Sequence, residues 1–237
     1  MGDNEDMLDR LREASSRQER TSVAEWAAGV LRDGITEGLF PPGERLPEDA
    51  LGGVMKVSRN TLREAFRLLT HERLVVHELN RGVFVRVLET EDLRDIYRVR
   101  RLIEGAALRS LGQPPYPLEA LEQAVAEGRK AAQEGRWRDV GTANIGFHKA
   151  IVALAGSPRT DELMRSILAE LRLVFHVMAD PRAFHEPYVD RNQEILRTLQ
   201  ADDAPGAARL LAAYLDDSER QLVQRYAGRT GSPGSPG

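Results

Sequence analysis

Residues 56–69 narrow the possible folds of this chain sharply, because they predict a helix with two opposed faces. Ser58 precedes the helix as a candidate N-cap whose side-chain oxygen can accept a free backbone N–H. Apolar residues then recur at the three-to-four spacing of a buried helical face: Leu62, Ala65, Phe66 and Leu69. Three basic residues follow one another by one turn on the opposite face: Arg59, Arg63 and Arg67.

The basic face of this helix is suited to nucleic acid. Stacked guanidinium groups repel one another unless an anion lies between them, and the free N–H groups of a first helical turn already attract phosphate. Asn60 and Thr61 lie in that turn and can form hydrogen bonds with base edges in a major groove. The alternative is a solvated face on which the arginines pair with Glu64 and Glu72.

The segment before this helix favours the nucleic-acid interpretation. Residues 47–55 predict a short helix, and only Lys56 and Val57 separate it from Ser58. Two short helices joined by so tight a turn are typical of a helix-turn-helix whose second helix reads DNA. Two β-rich runs, residues 74–78 and 83–87, then predict a hairpin with Arg81 at its tip, which makes a winged helix.

Residues 23–88 resemble the DNA-binding domain of the GntR family of bacterial transcriptional regulators. The resemblance rests on three motifs in the family's order, at residues 42–48, 57–65 and 81–85. It implies DNA contacts from the helix and the wing, at Ser58, Arg59, Asn60, Thr61, Arg63, Arg67, Arg81 and Gly82. The chain departs from the family at Asp49, where a basic residue is common, and at Lys56, where the turn often has a glycine. The second departure predicts a turn closed without glycine's freedom at positive φ.

Composition and charge limit the location and the partners of the chain. The absence of cysteine from all 237 residues excludes disulfides and thiolate metal sites and fits a reducing cytoplasm. No run reaches the ~18 apolar residues of a membrane span. The net charge is −4, yet residues 56–88 carry seven basic and three acidic side chains, so positive charge is concentrated on the predicted helix and wing. We therefore expect a soluble, cytoplasmic, nucleoid-associated protein that binds double-stranded DNA and no membrane.

The chain as a whole predicts a mainly α fold: a winged helix-turn-helix of three helices and a β-hairpin, followed by an antiparallel bundle of about six helices. We expect a flexible arm over residues 1–20, the DNA-binding domain over 21–88, the helical domain over 91–227 and a disordered tail over 228–237. The first helix starts at Thr21, with Val23, Ala27, Val30 or Leu31, and Ile35 as its apolar pattern. Thr90 is the expected cap of the next helix. The bundle helices are predicted near residues 91–111, 118–134, 137–155, 159–179, 184–200 and 204–226.

The second half resembles the all-helical, FCD-type effector domain of the FadR subgroup of that family, over most of residues 91–222. The anchors are residues 97–104, 144–148, 195–203 and 214–215. In the subgroup the bundle encloses a cavity for a small, usually carboxylate-bearing metabolite. Many members also hold a divalent metal there with one aspartate and three histidines.

The expected metal ligands are largely replaced in this chain. Asn144 falls where the aspartate would be, and His148 falls on the first histidine. Asn192 and Tyr214 fall on the other two. Since neutral amides are weak ligands and one imidazole does not hold zinc tightly, we expect no metal cofactor, with His148 as the one weak candidate ligand. His148 alone is better explained as a hydrogen-bonded core histidine.

The effector pocket is predicted from polar residues on the inward helical stripes: Arg100, Glu104, Asn144, His148, Asn192 and Tyr214. Arg100 would clamp an anionic effector, because its planar guanidinium fits a carboxylate. The alternative for Arg100 and Glu104 is an exposed pair one turn apart on a solvated face.

These patterns together predict a homodimeric, one-component transcriptional regulator. The resemblance implies a repressor, because repression is the commoner behaviour in the family. It would bind an inverted-repeat operator and respond to a small organic acid. A metabolite- or metal-binding enzyme built on the bundle is one alternative, although we find no acid, base or nucleophile constellation for it. A helical interaction module with a vestigial DNA-binding head is the other.

Overall fold

The chain forms two separate units that divide between Val87 and Leu88. The computed structural model describes residues 23–176, 178 and 180–230. The predicted arm, Thr21 and residues 231–237 of the predicted tail lie outside these. Within the described residues, no helix combines the length and the apolar character needed to cross a membrane.

The first unit is a winged helix-turn-helix, as predicted. Its helices are α1 (residues 23–37), α2 (Glu48–Met55) and α3 (Arg59–His71). Its strands are β1 (Arg45–Leu46), β2 (Val75–Glu78) and β3 (Gly82–Val85), which form an antiparallel sheet in the order β1-β3-β2. The hairpin prediction gave β2 and β3 but not β1, which pairs Arg45 with Phe84. A two-residue strand is too short to show alternation, so its existence depends on β3.

The core of the first unit differs from prediction on α1. Ala27, Leu31 and Ile35 of the predicted apolar pattern are buried, but Val23 is 45% exposed, and Val30, the alternative to Leu31, is 44% exposed. Two further alanines, Ala24 and Ala28, complete the buried face. Small side chains let neighbouring elements approach α1 closely, and the two valines are left on the outer side.

The turn between α2 and α3 is closed without a glycine, as predicted, although its backbone lies at positive φ. Lys56 has φ +54° and ψ +38°, and its N–H donates to the carbonyl of Gly52. This is the left-handed conformation that glycine usually supplies at the end of a helix. A lysine adopts it here at a conformational cost of about 1–2 kcal/mol.

The second unit, the helical unit, is all α in its described residues. Its helices are α4 (Thr90–Arg109), α5 (Glu119–Gln133), α6 (Trp137–Ala153), α7 (Pro158–His176), α8 (Pro181–Gln200) and α9 (Ala204–Thr230). The predicted bundle is confirmed, with shifted ends.

The shifted ends have local causes. Glu89, not Thr90, caps α4, in a reciprocal capping box with Asp92. Asp180 caps α8 by accepting from the N–H of Ala183, so that helix begins three residues earlier than predicted. At the other end of the chain, α9 continues to Thr230 and includes the first residues of the predicted tail.

The first and last helices of the helical unit pack against each other along their length. The hydroxyls of Tyr97 and Ser218 lie 2.6 Å apart, and Arg101 donates to Glu219 at 2.6 Å. Near the end of α9, the hydroxyl of Tyr226 donates to the carbonyl of Leu88 at 2.7 Å. These hydrogen bonds join the N-terminal end of the helical unit to its last helix, α9.

Candidate DNA-contacting face and candidate effector site

The arginine face of α3 is exposed, opposite a fully buried apolar face. The side chains of Arg59, Arg63 and Arg67 are 76%, 66% and 70% exposed. Ser58 caps the helix as predicted: its hydroxyl accepts from the N–H of Thr61 at 3.1 Å. We call the exposed side of α3, with the wing beside it, the candidate DNA-contacting face.

Each of these arginines already has an acidic partner in the same unit. Arg59 lies 3.1 Å from Asp49, Arg63 donates to Glu48 at 3.0 Å, and Arg67 pairs with Glu64 at 2.6 Å. Glu72, the other partner expected in the solvated-face interpretation, instead accepts two hydrogen bonds from Arg32 on α1, at 2.5 and 2.6 Å. Exposed ion pairs are weak in water, so phosphate groups can replace these carboxylates at small cost.

The wing adds further basic residues. Arg81 pairs with Glu78, and its guanidinium lies 5.3 Å from the centre of the Phe84 ring. Gly82 has φ +107°, and a β-carbon there would lie 3.2 Å from the Nε of Arg45. Gly82 therefore makes room for Arg45 beside the wing.

A cleft of about 710 Å³ lies between α3 and the sheet. Arg45, Arg63 and Arg67 line it. Arg45 was not among the predicted contacts, although the motif at residues 42–48 contains it. Its position on β1 could not be inferred because that strand was not predicted.

In the helical unit, Arg100 and Glu104 form a buried ion pair rather than an exposed one. Their side chains are 2% and 0% exposed, and the Nε of Arg100 donates to Oε1 of Glu104 at 2.8 Å. The other carboxylate oxygen lies 2.7 Å from Nδ1 of His148 on α6. The solvated-face alternative for this pair is therefore wrong.

The charges of this group support one another. Burial would raise the pKa of Glu104, but Arg100 and His148 outweigh it and hold that pKa below its usual value. Burial lowers the pKa of His148, against the opposing effect of Glu104. The arrangement is thus an ionised carboxylate between a guanidinium and a neutral imidazole.

The predicted amides and the predicted tyrosine lie next to this group. The Oδ1 of Asn144 accepts from Nδ2 of Asn192 at 2.8 Å and from the hydroxyl of Tyr214 at 2.9 Å. The rings of Tyr214 and His148 meet edge to face with centres 5.0 Å apart. We call the six residues the polar cluster: Arg100, Glu104, Asn144, His148, Asn192 and Tyr214.

The polar cluster does not have the donors of a tight metal site. Asn144, which stands where the subgroup has an aspartate, uses Oδ1 for two hydrogen bonds and so has no free carboxylate-like oxygen to offer. Across the described residues, no three His, Cys, Asp or Glu side chains are grouped to hold an ion. A single imidazole nitrogen remains, which is too few for zinc.

His185 is a buried polar residue that the sequence interpretation did not select. It lies on the same stripe of α8 as Tyr188 and Asn192, and with them lines a space of about 10 Å³, close to the size of one water molecule. Burial lowers the pKa of His185 to about 4. Gly141 faces it so closely that a β-carbon there would lie 2.8 Å from Nε2. The three-to-four spacing of the stripe was the signal that could have found it.

Known proteins resemble both units. Residues 24–85 match the family described as "Bacterial regulatory proteins, gntR family", and residues 95–217 match "FCD domain". The Nta operon transcriptional regulator of Aminobacter aminovorans is 46% identical over 70 residues, which is 30% of this chain and 33% of that protein. The transcriptional repressor RspR of Escherichia coli K12 is 24% identical over 200 residues, which is 82% of this chain and 88% of that protein. A crystal structure of a transcriptional regulator GntR from Rhodococcus sp. RHA1 has a TM-score of 0.82 and 45% identity, and the match covers 86% of this chain and 99% of that one.

Proposed function

We propose a function on the premise that this chain belongs to the gntR family of bacterial regulatory proteins and carries an FCD domain. It is a transcriptional regulator of that type and not an enzyme. Beyond this, we propose a cytoplasmic, nucleoid-associated homodimer that binds an inverted-repeat operator in double-stranded DNA. It represses transcription there, and a small carboxylate-bearing metabolite in the helical unit relieves the repression.

The observation that carries the DNA-binding part is the exposed arginine face of α3. The apolar residues of that helix are buried, so the side opposite them is the side free to enter a major groove. Asn60 and Thr61 reach base edges from the first turn, while Arg67, Arg81 and Gly82 meet the phosphate backbone. Two copies related by a two-fold axis would present two such helices to two half-sites.

The effector part rests on the polar cluster. Buried polar groups in the middle of a bundle are costly unless they are paired, and the guanidinium of Arg100 can bind an acid group directly, without a metal ion. Ligand binding would favour one arrangement of the unit over another and so change the affinity for the operator. By thermodynamic reciprocity the operator would change the affinity for the ligand by the same factor.

The experiment that tests the DNA-binding part is selection of binding sites from random duplexes by the purified full-length chain. We expect a short inverted repeat to be enriched. Arg59→Ala and Arg63→Ala should each weaken binding to that site by about 1–3 kcal/mol, which is roughly fivefold to 150-fold. Arg98→Ala is the matched control, because Arg98 is also an exposed arginine paired with a carboxylate, that of Asp95, but lies on α4.

Two outcomes would contradict this proposal. If Arg59→Ala and Arg63→Ala bound the selected site as tightly as the Arg98→Ala control, the reading helix would be assigned wrongly. If the selection enriched no sequence at all, the first unit would be a vestigial head, as in the interaction-module alternative. Circular dichroism of each variant excludes unfolding as the cause.

A further inference from the structure

Three buried polar atoms of the polar cluster have no hydrogen-bond partner among the described residues. They are Nη2 of Arg100, Nε2 of His148 and Oδ1 of Asn192. Buried polar groups are normally satisfied, so atoms like these mark a place where a ligand or water belongs. Glu104 links the side chains of Arg100 and His148, because one of its carboxylate oxygens accepts from Arg100 and the other contacts His148.

Contacts also connect Asn192, which carries the third atom, to His148. Asn192 donates to Asn144, which is one turn from His148 on the same face of α6, a distance of about 6 Å along the helix. Tyr214 bridges the two, since its hydroxyl donates to Asn144 and its ring contacts the ring of His148. A chain of contacts through Glu104, Asn144 and Tyr214 therefore connects the three residues that carry the unpartnered atoms.

The hydrogen-bonding role of the histidine atom follows from its neighbour. An ionised carboxylate can only accept, so Nδ1 of His148 must carry the proton that it shares with Glu104 over 2.7 Å. A neutral imidazole has one N–H, and Nε2 is then a bare acceptor. This assignment is consistent with burial, which lowers the pKa of His148.

The amide atom is also an acceptor. Asn192 uses Nδ2 to donate to Oδ1 of Asn144, which leaves its own oxygen unused. The opposite orientation of the Asn192 amide would place two carbonyl oxygens against each other. The site thus offers two acceptors, on His148 and Asn192, and one donor, on Arg100.

We propose, on the basis of the effector-controlled function above, that the effector is a hydroxylated organic acid. Its acid group accepts from Nη2 of Arg100, and its hydroxyl groups donate to Nε2 of His148 and Oδ1 of Asn192. An acid without hydroxyls brings only acceptors and leaves the two protein acceptors unsatisfied. An ammonium group can donate too, but both oxygens of Glu104, the carboxylate of the polar cluster, already contact Arg100 and His148, and a buried cation without a carboxylate partner is costly.

The first test concerns the histidine alone and needs no ligand. Two-bond nitrogen–proton spectra of protein labelled with 15N-histidine distinguish the two neutral tautomers, and His148→Gln assigns the signal. We expect His148 to be protonated at Nδ1 and bare at Nε2. A signal for the Nε2–H tautomer would overturn the proposal, because Nε2 would then be a donor and could not accept from a hydroxyl group of the ligand.

The second test uses matched acids that differ at one carbon. Malate, succinate and aspartate carry a hydroxyl, a hydrogen and an ammonium group at the same position, and so do lactate, propionate and alanine; gluconate and hexanoate extend the series to longer chains. We expect calorimetry to find that the hydroxylated members bind about tenfold or more tighter than their unsubstituted counterparts. In Asn192→Leu that ratio should shrink, while Gln193→Leu, at the next position of α8, should keep it.

The outcomes separate this inference from the function on which it rests. If unsubstituted or ammonium-bearing acids bound as tightly as hydroxylated ones and changed operator affinity, the hydroxyl specificity would be wrong and effector control would stand. If no acid in the series bound while the operator was still recognised, effector control by an organic acid would fail together with this inference.

Discussion

His185 should make the stability of the helical unit depend on pH in the mildly acidic range. The side chain is 3% exposed, and its ring packs edge to face against Phe175 and Phe184. Burial lowers its pKa from 6.5 to about 4, and the nearby charge of Arg172 acts in the same direction. The folded unit therefore resists protonation of His185, whereas the unfolded chain accepts a proton near pH 6.5.

The sign and the size of the effect follow from this difference. Since the folded pKa is depressed, the stabilisation is fully present above pH 6.5 and is lost as the pH falls towards 4. Between pH 7.5 and pH 4.5, two pKa values of 6.5 and about 4 correspond to a loss of about 2.5 kcal/mol in the free energy of unfolding. Carboxylates add their own pH dependence, so the comparison must be made with a variant.

His185→Leu removes this contribution and leaves the others. The chain has two tryptophans, Trp26 and Trp137. In a Trp26→Phe background, the fluorescence of Trp137 reports on the helical unit during urea unfolding. The loss of stability between pH 7.5 and pH 4.5 should be about 2.5 kcal/mol larger with His185 than with leucine. His77→Leu, in the other unit, controls for loss of a histidine. Equal pH dependence with and without His185 would refute the reasoning.

Four further substitutions have defined outcomes. Gly141→Ala should destabilise the helical unit by about 1–3 kcal/mol, because the new methyl group would collide with the ring of His185. Gly146→Ala on the same helix meets only ordinary contact at 3.8 Å and should stabilise the unit by up to about 1 kcal/mol; equal effects in urea unfolding would contradict this difference. Lys56→Gly should stabilise the first unit by about 0.5–1 kcal/mol by relieving the positive φ, and a lower melting temperature would count against that strain. Asp49→Asn should raise operator affinity by roughly threefold to tenfold, because a carboxylate no longer competes with phosphate for Arg59; unchanged affinity in a gel shift would show that the pair is irrelevant to binding.

The parts of the fold that the sequence predicted well are those determined by local chemistry. Helix α3 was predictable because its cap at Ser58 and its buried face at Leu62, Phe66 and Leu69 are both short-range features. The ends of the bundle helices were less predictable, since α4 is capped by Glu89, one residue before the predicted cap Thr90. The strand β1 was not predictable because its pairing partner lies almost forty residues away in β3.

The candidate effector site shows the same limit. Helical spacing placed Asn144 and His148 on one inward stripe, but the partners of His148 come from another helix. Glu104 is 44 residues away in sequence, and no local pattern reveals that its carboxylate orients the imidazole. Spacing alone also left the pair of Arg100 and Glu104 undecided between solvent and interior, since both faces of a helix repeat with the same period.

The pairing of α4 with α9 has a consequence for the order in which the chain folds during synthesis. Leu88 and Tyr226, which the hydrogen bond near the end of α9 joins, are 138 residues apart. At about 5–20 residues per second, a ribosome needs roughly 7–28 s to add that length. The first unit, which ends at Val87, is complete before this interval begins, while the buried face of α4 must wait for its partner. A nascent chain therefore carries a finished DNA-contacting unit ahead of an unfinished helical one, and a chain truncated before α9 would retain the former without the latter.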